Sequence, residues 1–127
     1  MHTDSRRFSK LTETIIGCSY DVANILGRGF MEKVYANALS IELSQRGIRI
    51  EKQYPIKVFY KGLMVGDFIA DILVEDCILI ETKAAAALNN MHMSQCLNYL
   101  KASNLNLCLL INFAGPSVQV KRIVNGF

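Results

Sequence analysis

The sequence lacks the features that would divide the chain or anchor it in a membrane. No apolar stretch approaches the ~18 residues that a membrane-spanning helix needs. The two prolines, Pro55 and Pro116, lie far apart, and there is no repeat, low-complexity tract or linker rich in proline and serine. At 127 residues the chain has the length of one globular domain. We therefore expect a single domain over residues 1–127, with a core from about residue 9 to about residue 125.

The cysteines and glycines also lack the spacings of cofactor sites. The four cysteines form no CxxC pair and have no histidine pair nearby, which argues against zinc. Each lies in an apolar segment, so we expect buried, reduced thiols. Gly27-Arg28-Gly29 lacks the further glycines of a dinucleotide site or a P-loop. We therefore expect no nucleotide cofactor.

The charged residues permit a polyanionic partner without requiring one. The net charge is +3, with a basic first half and a slightly acidic second half. Many soluble domains are equally basic, so specific residues must decide whether nucleic acid is bound. The basic amino terminus, Met1 to Arg7, has no apolar segment behind it and does not resemble a secretory signal. We expect a cytoplasmic protein without membrane association.

Hydropathy patterning predicts two helices in the first part of the chain. Apolar residues recur at spacings of three and four from Leu11 to Ile25, which predicts a helix from Ser9 that ends at Gly27-Arg28-Gly29. A second helix is predicted from Phe30 to Arg46, with Gly47 in the position that favours a left-handed residue.

The pattern then changes to that of a sheet. Alternating, β-branched and aromatic residues predict an antiparallel meander of three strands, Tyr54 to Tyr60, Met64 to Val74 and Cys77 to Lys83. Asn89 or Asn90 could cap a third helix, and the apolar run from Leu105 to Phe113 suits a central strand. The predicted fold class is α/β, with the order α-α-β-β-β-α-β and a mixed sheet.

Three ionisable residues lie in the most apolar of these strands. Asp71 is in the second strand, and Glu81 and Lys83 share a face of the third. An unpaired charge in such surroundings costs several kcal/mol, so these groups need a partner, a metal or a functional use. A three-residue turn, Glu75-Asp76-Cys77, would place Asp71 opposite Glu81. A two-residue turn would place Asp71 on the other face unless a bulge intervened.

The residue types indicate phosphodiester chemistry if the three groups meet. Two converging carboxylates favour a hard cation such as Mg²⁺ or Mn²⁺ over zinc. A neighbouring lysine can stabilise the charge that develops on a phosphate. A satisfied ion-pair cluster of Asp71, Glu81 and Lys83 without turnover fits the same residues, and their spacing alone does not decide between the two readings.

The order of these residues resembles a known family. Asp71 followed by Glu81-Thr82-Lys83 is similar to the D…(E/D)-x-K signature of the PD-(D/E)XK nuclease superfamily. Gly29-Phe30-Met31-Glu32-Lys33-Val34-Tyr35 matches the G-x-x-E-x-x-Y signature of its GxxExxY family, and Gln95 with Tyr99 fits the Q-x-x-x-Y pattern of RecB-like nucleases. The resemblance covers roughly residues 11 to 125 and implies a restriction-endonuclease-like fold.

The resemblance also implies roles for individual residues. It implies metal ligation by Asp71, Glu81 and the additional carboxylate Glu32, together with the backbone carbonyl of Thr82. It implies a catalytic set of Asp71, Glu81, Lys83, Gln95 and Tyr99. Without the resemblance, Glu32 would be read as an exposed or dipole-favoured helix residue and Tyr35 as core packing.

The sequence thus yields two functional hypotheses. The first is a nuclease dependent on Mg²⁺ or Mn²⁺ that hydrolyses phosphodiester bonds of DNA or RNA. The alternative is a catalytically silent nuclease-fold module that binds nucleic acid or protein. A homodimer is a further expectation, because the chain is rich in apolar residues that could form an interface.

Overall fold

A computed structural model describes residues 2–126, with side chains from residue 6 onward. The side chains of residues 1–5, which belong to the basic amino-terminal segment discussed above, lie outside the described part. The elements are α1 (His2–Leu26), α2 (Glu32–Gln45), β1 (Ile50–Tyr60), β2 (Leu63–Val74), β3 (Ile78–Lys83), α3 (Asn90–Ser103), β4 (Leu107–Asn112) and β5 (Gln119–Val124). Of the helices described, not one combines the length and the apolar character that spanning a bilayer would require.

The strands form one mixed sheet in the order β1-β2-β3-β4-β5. β3 and β4 are parallel and are connected through α3, whereas all the other neighbours are antiparallel. A parallel pair needs such a crossover, because a tight turn can join only antiparallel strands. The predicted α/β class with a restriction-endonuclease-like arrangement is confirmed.

Two apolar clusters lie on opposite faces of the sheet. One joins α1 and α2 to Ile78 and Ile80 of β3, and the other joins α3 to Leu79. Because side chains alternate along a strand, Glu81 and Lys83 project on the same face as Leu79, towards α3. The sheet is therefore covered by helices on both faces, and the ionisable residues of β3 face the single helix α3.

The structure adds one strand to the prediction and extends one helix. α1 begins at His2 rather than at Ser9. β5, which contains Lys121 and Arg122, was not predicted because four of its six residues are exposed and three of them are polar, as is common in a short edge strand. It pairs with β4, so that β4 is covered on both sides as its apolar sequence requires.

The turn between β2 and β3 has the three residues, 75 to 77, that place Asp71 opposite Glu81. Val74 pairs with Ile78 and closes the turn, and Glu75 and Asp76 both adopt positive φ, 49° and 59°. The backbone amide of Arg49 donates to the Glu75 carboxylate at 2.6 Å, which ties the turn to the start of β1. Of the two turns that the sequence left open, the structure has the three-residue turn, with the odd-to-odd register.

The β1–β2 hairpin twists sharply at the level of Asp71. Ala70 packs in the α3 cluster, whereas Ile72, two residues later, packs in the α1–α2 cluster. Strict alternation would put both on one face, so the strand rotates between them. Gln53 of β1, with a φ of 54°, lies between the pairs Lys52↔Ile72 and Tyr54↔Ala70. The pairing of β2 with β3 ends at Ile72↔Ile80, so the two strands separate at Asp71 and Glu81.

Candidate active site

Asp71 and Glu81 meet where β2 and β3 separate. The backbone amide of Asp71 donates to Oε1 of Glu81 at 2.8 Å. In return, the backbone amide of Thr82 donates to Oδ2 of Asp71 at 2.8 Å. These two hydrogen bonds between side chain and backbone take the place of the backbone pairing of β2 with β3, which ends one residue earlier at Ile72↔Ile80. The two carboxyl groups are thereby fixed by the main chain of the opposite strand.

Thr82 contributes its side chain as well as its backbone. Its Oγ1 donates to the same Oδ2 of Asp71 at 2.7 Å, and it lies 3.5 Å from the carbonyl oxygen of Glu32 at the start of α2. Thr82 is 1% exposed. The sequence predicted only a role for the Thr82 carbonyl, which stays a prediction. The hydroxyl orients Asp71, a role that the sequence analysis did not find.

The carboxyl group of Glu81 is buried beside other negative charges. Burial raises the pKa of Glu81 to about 8, and the nearby carboxylate of Asp71 adds to the shift. The hydrogen bond from the Asp71 amide and the charge of Lys83 act in the opposite direction, and Glu32 raises the pKa slightly further. The arrangement therefore disfavours an ionised Glu81 unless a cation lies close to it.

Lys83 lies beside the carboxylates but is not neutralised by them. Its Nζ contacts Oε1 of Gln95 at 3.5 Å, and within the described residues it forms no salt bridge. The Gln95 amide in turn donates to the hydroxyl of Tyr99 at 3.0 Å, one helical turn further along α3. Burial raises the pKa of Tyr99 to about 12, with Glu81 and Asp71 as further causes. The hydroxyl therefore stays protonated, and Tyr99 and Gln95 together hold the lysine at the edge of the site.

Glu32 lies near the pair without joining it. It is the first residue of α2, and its side chain is exposed. In the part of the chain with described side chains, no three acidic, histidine or cysteine residues are grouped so that they could hold a metal ion. The structure thus brings together Asp71, Glu81, Thr82, Lys83, Gln95 and Tyr99, and it leaves Glu32 at the rim.

The donor set of the site fits a divalent cation with a preference for oxygen. Oδ2 of Asp71 and Oε1 of Glu81 are used in hydrogen bonds, whereas Oδ1 and Oε2 accept none from the described residues. Two carboxyl groups with unused oxygens lie side by side, and the pKa of Glu81 is raised, so a cation bound between them would relieve the repulsion. Because both residues carry carboxyl groups, apolar packing alone cannot account for the pair.

Tyr35 fixes the loop that precedes α2. Its hydroxyl donates to the carbonyl oxygen of Gly27 at 2.7 Å and accepts from the backbone amide of Phe30 at 3.2 Å. Its ring stacks on Phe113 with a centroid distance of 4.6 Å. Tyr35 is therefore a core residue that also clamps a loop next to the site, which is consistent with the packing role expected from sequence.

Asn112 fixes the segment that follows Lys83, and sequence analysis gave it no role. The side chain is 2% exposed. Its Oδ1 accepts from the amides of Ala85 and Ala114, and its Nδ2 donates to the carbonyl of Ala85 at 2.9 Å. A polar residue at the end of an otherwise apolar buried strand was the available signal, because a buried amide needs partners.

The superfamily expected from the motifs is shown by comparison with family models. The model described as the PD-(D/E)XK nuclease superfamily matches residues 9–123. The chain belongs to this superfamily. The match spans the hairpin with Asp71, the segment with Glu81 and Lys83, and α3. Enzymes of the superfamily generally use divalent metals, which agrees with the donor set described above.

Two solved structures are similar to this chain in fold. An alkaline exonuclease from Laribacter hongkongensis matches with a TM-score of 0.50 and 15% identity, covering 68% of this chain and 52% of its own. The protein SSO0001 matches with a TM-score of 0.59 and 18% identity, covering 97% of this chain and 61% of its own. This chain thus spans between half and two thirds of the length of both structures. A comparison with curated proteins finds no match.

Proposed function

We propose that this member of the superfamily is a nuclease that hydrolyses phosphodiester bonds of DNA or RNA with Mg²⁺ or Mn²⁺. The observation that carries the proposal is the pair formed by Asp71 and Glu81. Both carboxyl groups are fixed through one oxygen and leave the other unused, and Lys83 lies beside them without a salt bridge among the described residues. A purely structural cluster would use the lysine to neutralise the carboxylates.

Each residue of the site has a proposed part in the reaction. Asp71 and Glu81 would hold the metal, with Glu32 and the Thr82 carbonyl as additional ligands. When bound, the ion would lower the pKa of a water and neutralise charge on the phosphate. Lys83 would stabilise the negative charge that develops on the scissile phosphate. Gln95 and Tyr99 would position the ammonium group of Lys83 through the hydrogen bonds already described.

Within the superfamily we place the chain in the GxxExxY family and the RecB-like branch. Support for the family comes from Gly29, Glu32 and Tyr35, which lie directly before and within the first turn of α2, where the Tyr35 hydroxyl holds the preceding loop through Gly27. Support for the branch comes from Gln95 and Tyr99, whose side chains are bonded to each other. We further propose that the chain forms one domain. We also propose a cytoplasmic location, because all four cysteines are free thiols, as is usual in a reducing compartment.

Metal-dependent cleavage tests the proposed function. Purified protein is incubated with single-stranded and double-stranded DNA and RNA, with Mg²⁺, with Mn²⁺ or with a chelator. We expect cleavage only with a metal, and a loss of roughly 10²-fold or more in rate for Asp71→Asn and for Lys83→Ala. Asp67→Asn on the same strand and Lys101→Ala on α3 are matched controls, because both side chains are exposed. Cleavage that persists in Asp71→Asn and Lys83→Ala would contradict the mechanism.

The second candidate function is the silent module that binds nucleic acid or protein. It is favoured by the position of Glu32 outside any preformed three-residue metal group in the described part of the chain. It is also favoured by the apolar tip of the β1–β2 hairpin, which could contact a second copy and form the expected homodimer. The tip residues in question are Phe59, Tyr60, Leu63, Met64 and Val65, all at least half exposed. Binding of nucleic acid without cleavage in either metal would favour this candidate.

A further inference from the structure

A cavity of about 790 Å³ opens at the loop before α2, and apart from Glu32 the proposed reaction uses none of the residues that line it. The loop before α2 and the first turn of α2 form most of its wall, and Ala84 forms the side nearest to β3. The lining is mainly apolar, through Phe30, Met31 and Val34, with Glu32 and Lys33 as its charged residues. A cavity of this volume and composition is typical of a site for an organic ligand rather than for an ion.

Phe30 presents a fixed aromatic surface in this cavity. Its side chain is 47% exposed, yet its backbone amide is held by the Tyr35 hydroxyl at 3.2 Å. Its ring meets the ring of Tyr35 edge to face, with a centroid distance of 6.2 Å. An exposed aromatic ring on a clamped loop loses little conformational freedom when a ligand stacks on it. The free face of Phe30 is therefore preorganised for a flat partner.

The cavity adjoins the candidate active site through two of its lining residues, Glu32 and Ala84. Ala84 directly follows Lys83 in the chain, and Glu32 lies on the cavity wall while its carbonyl oxygen lies 3.5 Å from Oγ1 of Thr82. Thr82 in turn holds Asp71. A strand whose phosphate reaches Asp71, Glu81 and Lys83 would thus bring an adjacent nucleotide to the cavity.

We propose that this cavity receives an unpaired base of the substrate strand, which stacks on Phe30. The inference rests on the proposed nuclease function, because that function supplies the strand. A nucleobase is flat, and its faces stack readily on an aromatic side chain. In a duplex these faces are covered by the neighbouring base pairs, so only a single strand, a flap or an overhang can offer one. The substrate class is accordingly nucleic acid with a single-stranded segment at the scissile bond.

The charges at the cavity suit this occupant. Lys33 is exposed and can attract the backbone phosphates. In the metal-free protein the carboxylate of Glu32 can accept a hydrogen bond from an N–H group of a base, such as the N3–H of thymine. A purely apolar occupant, such as the side chains of another protein, would leave both charged groups without a partner at the contact. An unpaired nucleotide would engage the aromatic, the basic and the acidic residue together.

The test is a thermodynamic cycle in which the Phe30 ring and the bases of the ligand are removed singly and together, and the binding affinity is measured each time. Affinity is measured by fluorescence polarisation for a short oligothymidylate strand, for a strand of equal length without bases, and for a blunt duplex. The measurements are made in chelator with the wild-type sequence, and again with Mg²⁺ in the Lys83→Ala background. Phe30→Ala removes the stacking surface, and Phe30→Tyr retains it. Phe59→Ala is the control, because Phe59 is also an exposed phenylalanine and lies at the far end of the hairpin.

We expect removal of the bases to weaken binding by roughly five- to 100-fold, as measured for single stacked bases. Phe30→Ala should weaken binding of the intact strand to a similar extent and should abolish the difference between the two strands. Phe30→Tyr and Phe59→Ala should preserve that difference, and the duplex should bind less tightly than the single strand. Equal base dependence in wild type and Phe30→Ala, or no base dependence in either buffer, would overturn the proposal.

The binding cycle separates this proposal from the proposed nuclease activity. If the protein cleaves nucleic acid but binding shows no base dependence through Phe30, the reaction stands and the base pocket falls. If it cleaves nothing in any metal but retains the Phe30-dependent preference, the pocket stands and the nuclease function falls. Circular dichroism of Phe30→Ala, compared with the wild type, establishes that the variant is folded in either case.

Discussion

The electrostatics of the site depend on the carboxyl group of Glu81. It is 5% exposed, lies next to Asp71 and is held by a backbone amide rather than by a cation. Folding therefore removes this group from water while leaving it in a repulsive field. The raised pKa of Glu81 is the direct consequence, and it links the stability of the metal-free protein to pH.

The first prediction concerns that linkage. A carboxyl group whose pKa is about 8 in the folded protein and 4.5 as its ordinary value binds more protons when folded than when unfolded. Its contribution to stability is thus complete below the ordinary value and is lost as the pH rises through about 8. The total loss is on the order of a few kcal/mol, at about 1.4 kcal/mol per unit of pKa difference.

Denaturant unfolding in chelator, repeated between acid and mildly alkaline pH, measures the effect. Glu81→Gln cannot titrate, so the wild type should lose stability relative to this variant as the pH rises. Glu13→Gln, an exposed glutamate on α1, should follow the wild type at every pH. A constant difference between the wild type and Glu81→Gln over the whole range would contradict the assignment.

The second prediction concerns the hydroxyl of Thr82. Thr82→Val preserves the shape of the side chain and removes one of the two donors to Oδ2 of Asp71. A hydrogen bond to a charged group contributes about 1.5–3 kcal/mol, so the free energy of unfolding should fall by about that amount. Thr82→Ser should retain most of the stability, because it retains the donor.

Thr14→Val is the matched control for this measurement. The Thr14 hydroxyl donates to a backbone carbonyl on the exposed side of α1, where water can replace it. Its loss should cost less than the loss of the Thr82 hydroxyl. If the two valine variants unfold with the same free energy, the Thr82 hydroxyl does not hold Asp71 as described.

At the scale of elements, the site depends on a short loop between α1 and α2. This loop has no regular structure of its own, and its two glycines, Gly27 and Gly29, have φ values of 72° and 107°. Such angles are strained for other residues, so glycine is required there. The loop is held through the hydroxyl of Tyr35, which reaches from α2 to both of its ends.

The third prediction removes that hydroxyl. Tyr35→Phe retains the ring that stacks on Phe113 but leaves the carbonyl of Gly27 and the amide of Phe30 without their partner. The free energy of unfolding should fall by about 1–3 kcal/mol. Hydrogen exchange at the Phe30 amide should accelerate, because its protection comes from the lost bond. Tyr20→Phe, at an exposed tyrosine of α1, should change neither quantity; unchanged exchange at Phe30 would show that the hydroxyl does not hold the loop.

The elements also show how far sequence reasoning reaches. The helical and strand patterns predicted seven of the elements, because their apolar residues follow regular periods. The sequence left a two-residue and a three-residue turn between β2 and β3 open, because turn length is not fixed by the apolar pattern, and the structure has the three-residue turn. The sequence analysis missed β5 because this exposed edge strand has no regular apolar period. The analysis also missed the twist at Asp71. It coincides with a positive φ at Gln53, and glutamine in a sequence does not indicate a positive φ.

On the scale of the whole molecule, the separation of β2 and β3 creates the site. The two strands pair normally at their turn and diverge at the level of Asp71, while β3 continues to pair with β4 up to Lys83. Both helical layers meet this opening, α2 through Glu32 and α3 through Gln95. Binding at the opening would therefore connect both faces of the sheet, and a ligand there should stabilise the entire fold.

The fourth prediction is a metal-dependent and pH-dependent gain in thermal stability. A ligand that binds only the folded state adds about 2.7 kcal/mol at a concentration 100 times its dissociation constant, which corresponds to a rise of several degrees in Tm. Because a cation requires the ionised form of Glu81, whose pKa is about 8, binding must displace a proton at lower pH. The Tm increase caused by Mg²⁺ or Mn²⁺ should consequently grow as the pH rises towards 8 and then level off.

Differential scanning calorimetry with and without metal measures this increase at each pH. Asp71→Asn should abolish it, and Asp67→Asn should leave it intact, because Asp67 is exposed on the same strand and away from Glu81. Glu81→Gln should reduce the increase and remove its dependence on pH, since no proton then has to leave. A Tm increase of equal size at every pH would mean that the ion binds elsewhere, because only a site that includes Glu81 couples metal binding to this proton.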